Sequence, residues 1–377
     1  MSSMNRREWL RAATITPAVI VTVGGVDDGS RLTAAPTAAA LKAVVDKAAK
    51  FLASKQKDNG DLAPNPRVGP GVTALGVSAL VRNGRADDPV VTKGLAFLEK
   101  AVKADGGIYS QGLENYTTCL ALVTFKEANK DGKYDKVIEA ASKYLRSLQI
   151  NDKDEKDVQF GGVGYGGKGR PDLSNTHFMI EALMASGASK DDKAVKDALR
   201  FISRCQNLKN EFNEQPFAEK AGDADKGGFI YNPLDQDNPK SDKKTANGGL
   251  RSEGGMTYAG LKSFLYAGVG KDDPRVKAAI DWIRKHYSVT ENPGQGQAGL
   301  FYYYTTFAKA MDALGEDPFL DAKKVKHDWR QELFDQLKKT QKADGSWANA
   351  NAAFLENAPE LATTFALLAI SYTPKAK

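Results

Sequence analysis

Cysteine is scarce. Two in 377 residues allow at most one disulfide and exclude a small disulfide-stapled scaffold. Long apolar runs are missing too: no stretch of eighteen apolar residues occurs, so no integral membrane segment is expected in the mature chain. Charge of one sign is not gathered. The 53 Lys and Arg against 47 Asp and Glu leave a net charge of +6, but the two signs alternate, as in DKAVKDALR at 192–200, and the basic clusters are pairs such as Lys243-Lys244. Nucleic-acid recognition needs a basic face or stripe, so nucleic acid is not an expected partner. With 41% hydrophobic residues, the chain has enough apolar material for a large core.

The amino terminus reads NRREWLRAATITPAVIVTVGG, with Arg6-Arg7 ahead of a modest apolar stretch from Ala12 to Val26 and small residues at Ala34-Ala35 and Ala38–Ala40. A basic end, an apolar segment too short to span and a small-residue region resemble a twin-arginine export signal. Residues 1–40 are therefore read as signal and linker, and the mature protein is expected outside the cytoplasm, in the periplasm. A reporter fused to this segment should be exported, and should stay behind once Arg6-Arg7 becomes Lys-Lys.

From residue 41 two kinds of helical segment alternate. The first kind is amphipathic: 41–54, 88–102, 134–149, 191–206, 273–286 and 328–341 carry apolar residues at i, i+3, i+4 and i+7 with charges opposite. The second kind is apolar nearly all round and begins at Thr73, Thr118, Thr176, Thr257, Thr306 and Thr364. A helix apolar on most sides is an inner helix. Glycine-rich turns, often with an Asp and an aromatic, join the two kinds, as in DNG at 58–60, FGGVGY at 160–165 and DGSW at 344–347. Thr73 to Thr364 spans 291 residues in five steps, about 58 each. The expectation is an all-α fold: a single α6/α6 toroid over 41–377, a closed ring of six outer and six inner helices.

The segment LKKTQKADGSW, with Gln341, Asp344, Gly345 and Trp347, resembles the Q-W repeat of squalene–hopene cyclases, and the whole pattern is similar to the terpenoid cyclase and protein prenyltransferase superfamily. That resemblance implies a cavity inside the ring near the amino-terminal ends of the inner helices. The long connections 150–173, 207–255 and 342–359 lead into those ends, and long loops commonly carry function. It also implies where chemistry would sit. Class II cyclases protonate an alkene or epoxide with the middle carboxylate of an Asp-x-Asp-Asp-Thr motif. The corresponding stretch here is PDLSNT, in which Asp172 and Thr176 match but Ser174 and Asn175 replace the two later acids. Neither can act as the strong acid that step requires. The Asp-Asp-x-x-Asp cluster of class I enzymes is absent; Asp87-Asp88, Asp191-Asp192 and Asp272-Asp273 precede outer helices, where carboxylates act as caps. The zinc spacing of prenyltransferases is missing around Cys119 and Cys205, and neither cysteine starts the reactive Cys-Gly-Glu-Gln of thioester domains. No metal and no cofactor is implied.

What remains is an aromatic lining. GLFYYYTTF at 299–307 places Tyr302, Tyr303 and Tyr304 at the cavity end of the fifth inner helix, and Tyr116, Tyr258 and Trp347 fall at comparable positions. With Cys119 and Asn175 these are the expected ligand-binding residues, and Asp172, Glu253 and His177 the candidate catalytic ones. The expected function is an exported repeat protein of cyclase or prenyltransferase type that binds an apolar, isoprenoid-like molecule in an aromatic cavity. The alternatives are an active cyclase or prenyltransferase with other residues, or a polysaccharide lyase or hydrolase using facing carboxylates; the partner is then an apolar small molecule or a glycan.

Overall fold

The structure is a computed structural model that describes residues 35–166 and 169–374. The leader expected at 1–40 therefore lies almost wholly outside the described residues. The described residues form one compact unit, whose first helix, α1 (Ala38–Lys55), starts behind Thr37, the hydroxyl of which accepts from the Ala40 N–H at 3.2 Å.

The outer helices are α1, α3 (Pro89–Ala101), α5 (Asp135–Leu148), α7 (Lys193–Arg204), α10 (Pro274–His286) and α12 (Trp329–Thr340). The inner helices are α2 (Gly71–Arg82), α4 (Glu114–Ala128), α6 (Leu173–Ala185), α9 (Gly254–Tyr266), α11 (Leu300–Leu314) and α13 (Pro359–Ile370). A single turn, α8 (Pro216–Glu219), interrupts the connection 207–255. Among the described residues the only sheet is a two-residue pair, β1 (Phe319–Leu320) antiparallel to β2 (Lys326–His327), in a connection on the side away from the long loops.

Burial separates the two kinds of helix as their patterns require. In α5 only Ile138, Ala141, Leu145 and Leu148 are buried, one stripe at helical spacing. In α9 every residue from Gly254 to Phe264 is buried. The inner helices touch one another in the order α2, α4, α6, α9, α11, α13, and α13 packs in turn against α2 and α1. The contact order is thus cyclic.

One device joins the repeats. Gly60, Gly106, Gly161, Gly227 and Gly345 all hold φ between +83° and +93°. A Cβ there would lie 1.9 to 2.7 Å from a backbone carbonyl oxygen of the following outer helix: Lys93, Ala140, Asp197, Ala278 and, for Gly345, Lys47 of α1. Only glycine tolerates both the left-handed conformation and the approach. Two residues on, the N–H of Leu62, Ile108, Val163, Phe229 or Trp347 donates to the hydroxyl of Thr73, Thr118, Thr176, Thr257 or Thr363 at 2.9 to 3.1 Å. A glutamine completes the joint in four repeats. The amides of Gln56, Gln149, Gln206 and Gln341 each donate to the turn glycine carbonyl and to a carbonyl of the next outer helix, Gln341 reaching back to Val44 at 3.0 Å. These threonines therefore satisfy buried N–H groups whose abandonment costs about 1–3 kcal/mol each.

Two details of the repeat differ from the sequence reading. In the last repeat the docking hydroxyl belongs to Thr363, while Thr364 bonds to Leu361 O in its own helix. In the fifth, Thr306 bonds to Tyr303 O, and among the described residues no turn N–H of the connection 287–299 donates to its hydroxyl.

Candidate functional site

A cavity of about 340 Å³ lies at the amino-terminal ends of the inner helices. All six contribute from their first or second turns: Val72 and Leu75 of α2, Tyr116 of α4, Ser174 of α6, Gly255 and Met256 of α9, Tyr302 of α11, Leu361 and Phe365 of α13. The connections leading into those helices supply the rest: the three long ones bring Tyr165, Tyr231, Glu253, Phe354 and Leu355, and the shorter ones Val68, Leu113, Asn292 and Gly299. Phe354 and Leu355 hold φ near +60° and are about half exposed at 56% and 48%. The wall is mostly apolar and aromatic. Among its described residues there is no Lys or Arg, and Glu253 is its sole carboxylate, paired at 2.8 Å with Lys243 Nζ.

From two wall residues, Ser174 and Tyr302, a chain of polar groups runs into the core. Ser174 Oγ and Tyr302 OH are 3.1 Å apart, and Tyr302 OH lies 2.7 Å from His177 Nε2. His177 Nδ1 is 3.0 Å from Lys262 Nζ, which also donates to Glu181 Oε2 at 2.5 Å. Lys309 Nζ reaches the other Glu181 oxygen at 2.5 Å. All three charged side chains are at most 10% exposed. One carboxylate thus faces two ammonium groups in the core. Burial works against the Glu181 charge, but Lys262 and Lys309 overcome it and hold the carboxyl well below its usual range. Burial brings Lys262 down to about 8, against the pull of Glu181 and with repulsion from Lys309. Burial, with Lys262 adding to it, holds His177 well below the usual imidazole value, so the ring is neutral.

A second network sits beside it. Asp172 caps α6, accepting from the Asn175 N–H at 2.8 Å and from Asn175 Nδ2 at 2.9 Å, and Asn115 Nδ2 donates to the Asn175 side-chain oxygen at 3.2 Å. Burial raises Asp172 to about 6 despite those hydrogen bonds. Its carboxylate is engaged in holding the helix start and does not line the cavity.

The expected site residues therefore separate. Tyr116, Tyr302 and Glu253 are on the wall, and His177 stands directly behind Tyr302. Asp172 and Asn175 are bonded to each other off the wall. Cys119 is buried with its thiol 3.5 Å from Asn115 Oδ1 and borders a separate void of about 10 Å³. Tyr258, Tyr303, Tyr304 and Trp347 are core groups: Tyr258 packs edge-on to Tyr303 at 5.6 Å, the Tyr303 and Tyr304 hydroxyls donate to Ser288 O and Val289 O, and Trp347 Nε1 donates to Leu337 O. Glu356, unremarked in the sequence, accepts the Tyr302 N–H at 2.8 Å and so caps α11, whose own N-cap is the left-handed Gly299. Among the described residues no cluster of three or more His, Cys, Asp or Glu is placed to hold a metal ion. The described residues also contain no helix long and apolar enough to cross a membrane.

Residues 58–224 match the squalene-hopene cyclase C-terminal domain family. No curated protein sequence matches the chain. Solved structures do. A protein from Actinoplanes is 15% identical, with a TM-score of 0.53 over 88% of this chain and 99% of its own. The type II terpene cyclase MstE from Scytonema is 13% identical, with a TM-score of 0.53 over 90% and 99%. An α-amylase from Clostridium perfringens is 12% identical, with a TM-score of 0.51 over 92% and 99%. At such identities the likeness speaks for fold, which hosts unrelated chemistries.

Proposed function

We propose that this chain, whose fold is terpenoid cyclase-like, binds an apolar, isoprenoid-like molecule in the cavity at the amino-terminal ends of its inner helices. The observation that carries the reading is the composition of that cavity wall. Six helices and the connections leading into them converge on it, and they bring mostly Leu, Val, Met, Phe and Tyr, with Glu253 the one charged side chain among the described lining residues. A diphosphate would need cationic side chains or clustered carboxylates at the wall, and glycan hydrolysis two facing carboxylates; the described wall offers neither. Class II protonation is disfavoured on the same ground, since PDLSNT presents the Ser174 hydroxyl to the cavity and turns Asp172 and Asn175 toward each other.

The test is calorimetric titration with farnesane, a C15 isoprenoid hydrocarbon, at several temperatures. The expected result is binding at ~1 µM or tighter, about −8 kcal/mol, with a negative heat-capacity change that marks burial of apolar surface. Gly255→Leu supplies the control. A Cβ at Gly255 would meet the Tyr302 ring at 3.5 Å, an ordinary contact, so a larger side chain enters the cavity without forcing the backbone. That variant should lose at least tenfold in affinity. Absence of binding to the unaltered protein, or equal binding by Gly255→Leu, refutes the reading.

A further inference from the structure

The cavity is apolar but not uniformly so: two hydroxyls, Ser174 and Tyr302, face it side by side. Their protons can be counted. Lys262 is an ammonium group at neutral pH, with donors and no lone pair, so at 3.0 Å from His177 Nδ1 it must donate. A neutral imidazole that accepts at Nδ1 carries its proton on Nε2. The His177 Nε2–H therefore donates to the Tyr302 oxygen across 2.7 Å. Tyr302 and Ser174 then hold two hydroxyl protons between them. One joins the two oxygens at 3.1 Å; among the described residues no hydrogen bond to any other acceptor takes the second. Whichever hydroxyl keeps it, that hydrogen is left for the cavity.

A hydroxyl donor aimed into an apolar cavity and left unpaired is unfavourable, by an amount that an oxygen on the ligand recovers. The chain behind it also makes it a good donor. One Glu181 carboxylate against Lys262 and Lys309 leaves an excess of one positive charge in the core, and donation from Lys262 draws electron density from the imidazole. Linked hydrogen bonds of this kind polarise one another in a low-dielectric interior. We propose that Ser174 and Tyr302, backed by His177, form an anchor for one hydrogen-bond-accepting oxygen, so that the ligand is an isoprenoid-like molecule with a single carbonyl or ether-type oxygen rather than a pure hydrocarbon or a diphosphate. This rests on the apolar-cavity reading and narrows its ligand class.

Geranylacetone, an isoprenoid ketone that accepts hydrogen bonds and cannot donate them, is the probe, with a hydrocarbon of the same carbon number as its partner. The unaltered protein should bind the ketone about tenfold more tightly than the hydrocarbon, and the ratio should fall to about twofold or less in Tyr302→Phe and in Ser174→Ala, with circular dichroism reporting the fold. The infrared carbonyl stretch supplies a readout that needs no variant. Bound ketone should absorb at lower frequency than the same ketone in hexane. Hydrocarbon binding without preference for the ketone, or an unshifted carbonyl band, overturns the anchor and leaves the apolar-cavity reading standing. Failure of both probes to bind overturns that reading and the anchor with it.

Discussion

Gly161→Ala is expected to lower the free energy of unfolding by about 2–5 kcal/mol, as measured by urea denaturation at neutral pH. Two effects add. Alanine at φ +83° costs roughly 1–2 kcal/mol for the left-handed conformation. Its Cβ would stand 1.9 Å from the Asp197 carbonyl oxygen, a backbone atom in the middle of α7 that can yield only by moving the helix. Overpacking of that sort costs about 1–3 kcal/mol. Gly187→Ala separates the terms. Gly187 has φ +102° but nothing within 4 Å of its Cβ position, so that variant should lose only about 1–2 kcal/mol. Equal losses at the two sites would mean that the approach of turn to helix does not hold the repeats together. The effect should also reach the cavity, because Val163 and Tyr165 follow this turn and Tyr165 is part of the wall.

Glu181→Gln is expected to destabilise by about 3–5 kcal/mol at pH 7, the range for removing one partner of a buried charge cluster. It leaves Lys262 and Lys309, 1% and 6% exposed, with no counter-charge. The pH dependence follows in sign. The Glu181 pKa in the folded chain is held well below its ordinary value of 4.5, so its contribution is complete above about pH 4.5 and is lost as pH falls toward the folded value. The gap between the unaltered protein and the variant should therefore narrow in strong acid, as Glu181 takes up a proton, and narrow again as pH rises, because without Glu181 the buried Lys262 falls further below its ordinary value and sheds its proton. Adding Lys309→Met to Glu181→Gln removes one of the stranded cations and should recover part of the loss. A variant as stable as the unaltered protein at pH 7 would mean that the two lysines find water or other partners.

Much of the helix-pair repeat could be read from the sequence because each joint has a chemical requirement. A turn at φ near +90° against a carbonyl needs glycine, a buried N–H two residues later needs a hydroxyl, and the spacing of the two recurs. The reading slipped where neighbours in sequence were chemically alike. Thr363 and Thr364 are both hydroxyls one residue apart, and only their rotation about α13 decides which meets Trp347 N. Tyr302, Tyr303 and Tyr304 pose the same problem: successive residues on a helix point about 100° apart, so three tyrosines cannot share one wall. Tyr302 faces the cavity, and the other two turn to the connection 287–299.

The core cluster also has a signature in the sequence. Glu181, Lys262 and Lys309 are ionisable residues inside mostly apolar helices, in THFMIEAL, TYAGLKSF and TFAKAMDAL, the last of which also carries the exposed Asp312. A charge buried in such a helix must be paired with another, and these three lie in the middle of their helices rather than at the ends. Tyr165, Tyr231 and Phe354 left no comparable trace. They reach the wall through loops, and loop geometry depends on contacts with distant helices that no local pattern records.

Native mass spectrometry of the protein purified from cells, beside Gly255→Leu purified identically, tests most directly whether the cavity holds an apolar molecule. The predicted spectrum of the unaltered protein shows an adduct that organic solvent extracts and that the variant lacks. A bare chain in both preparations that stays bare after incubation with farnesane would contradict it.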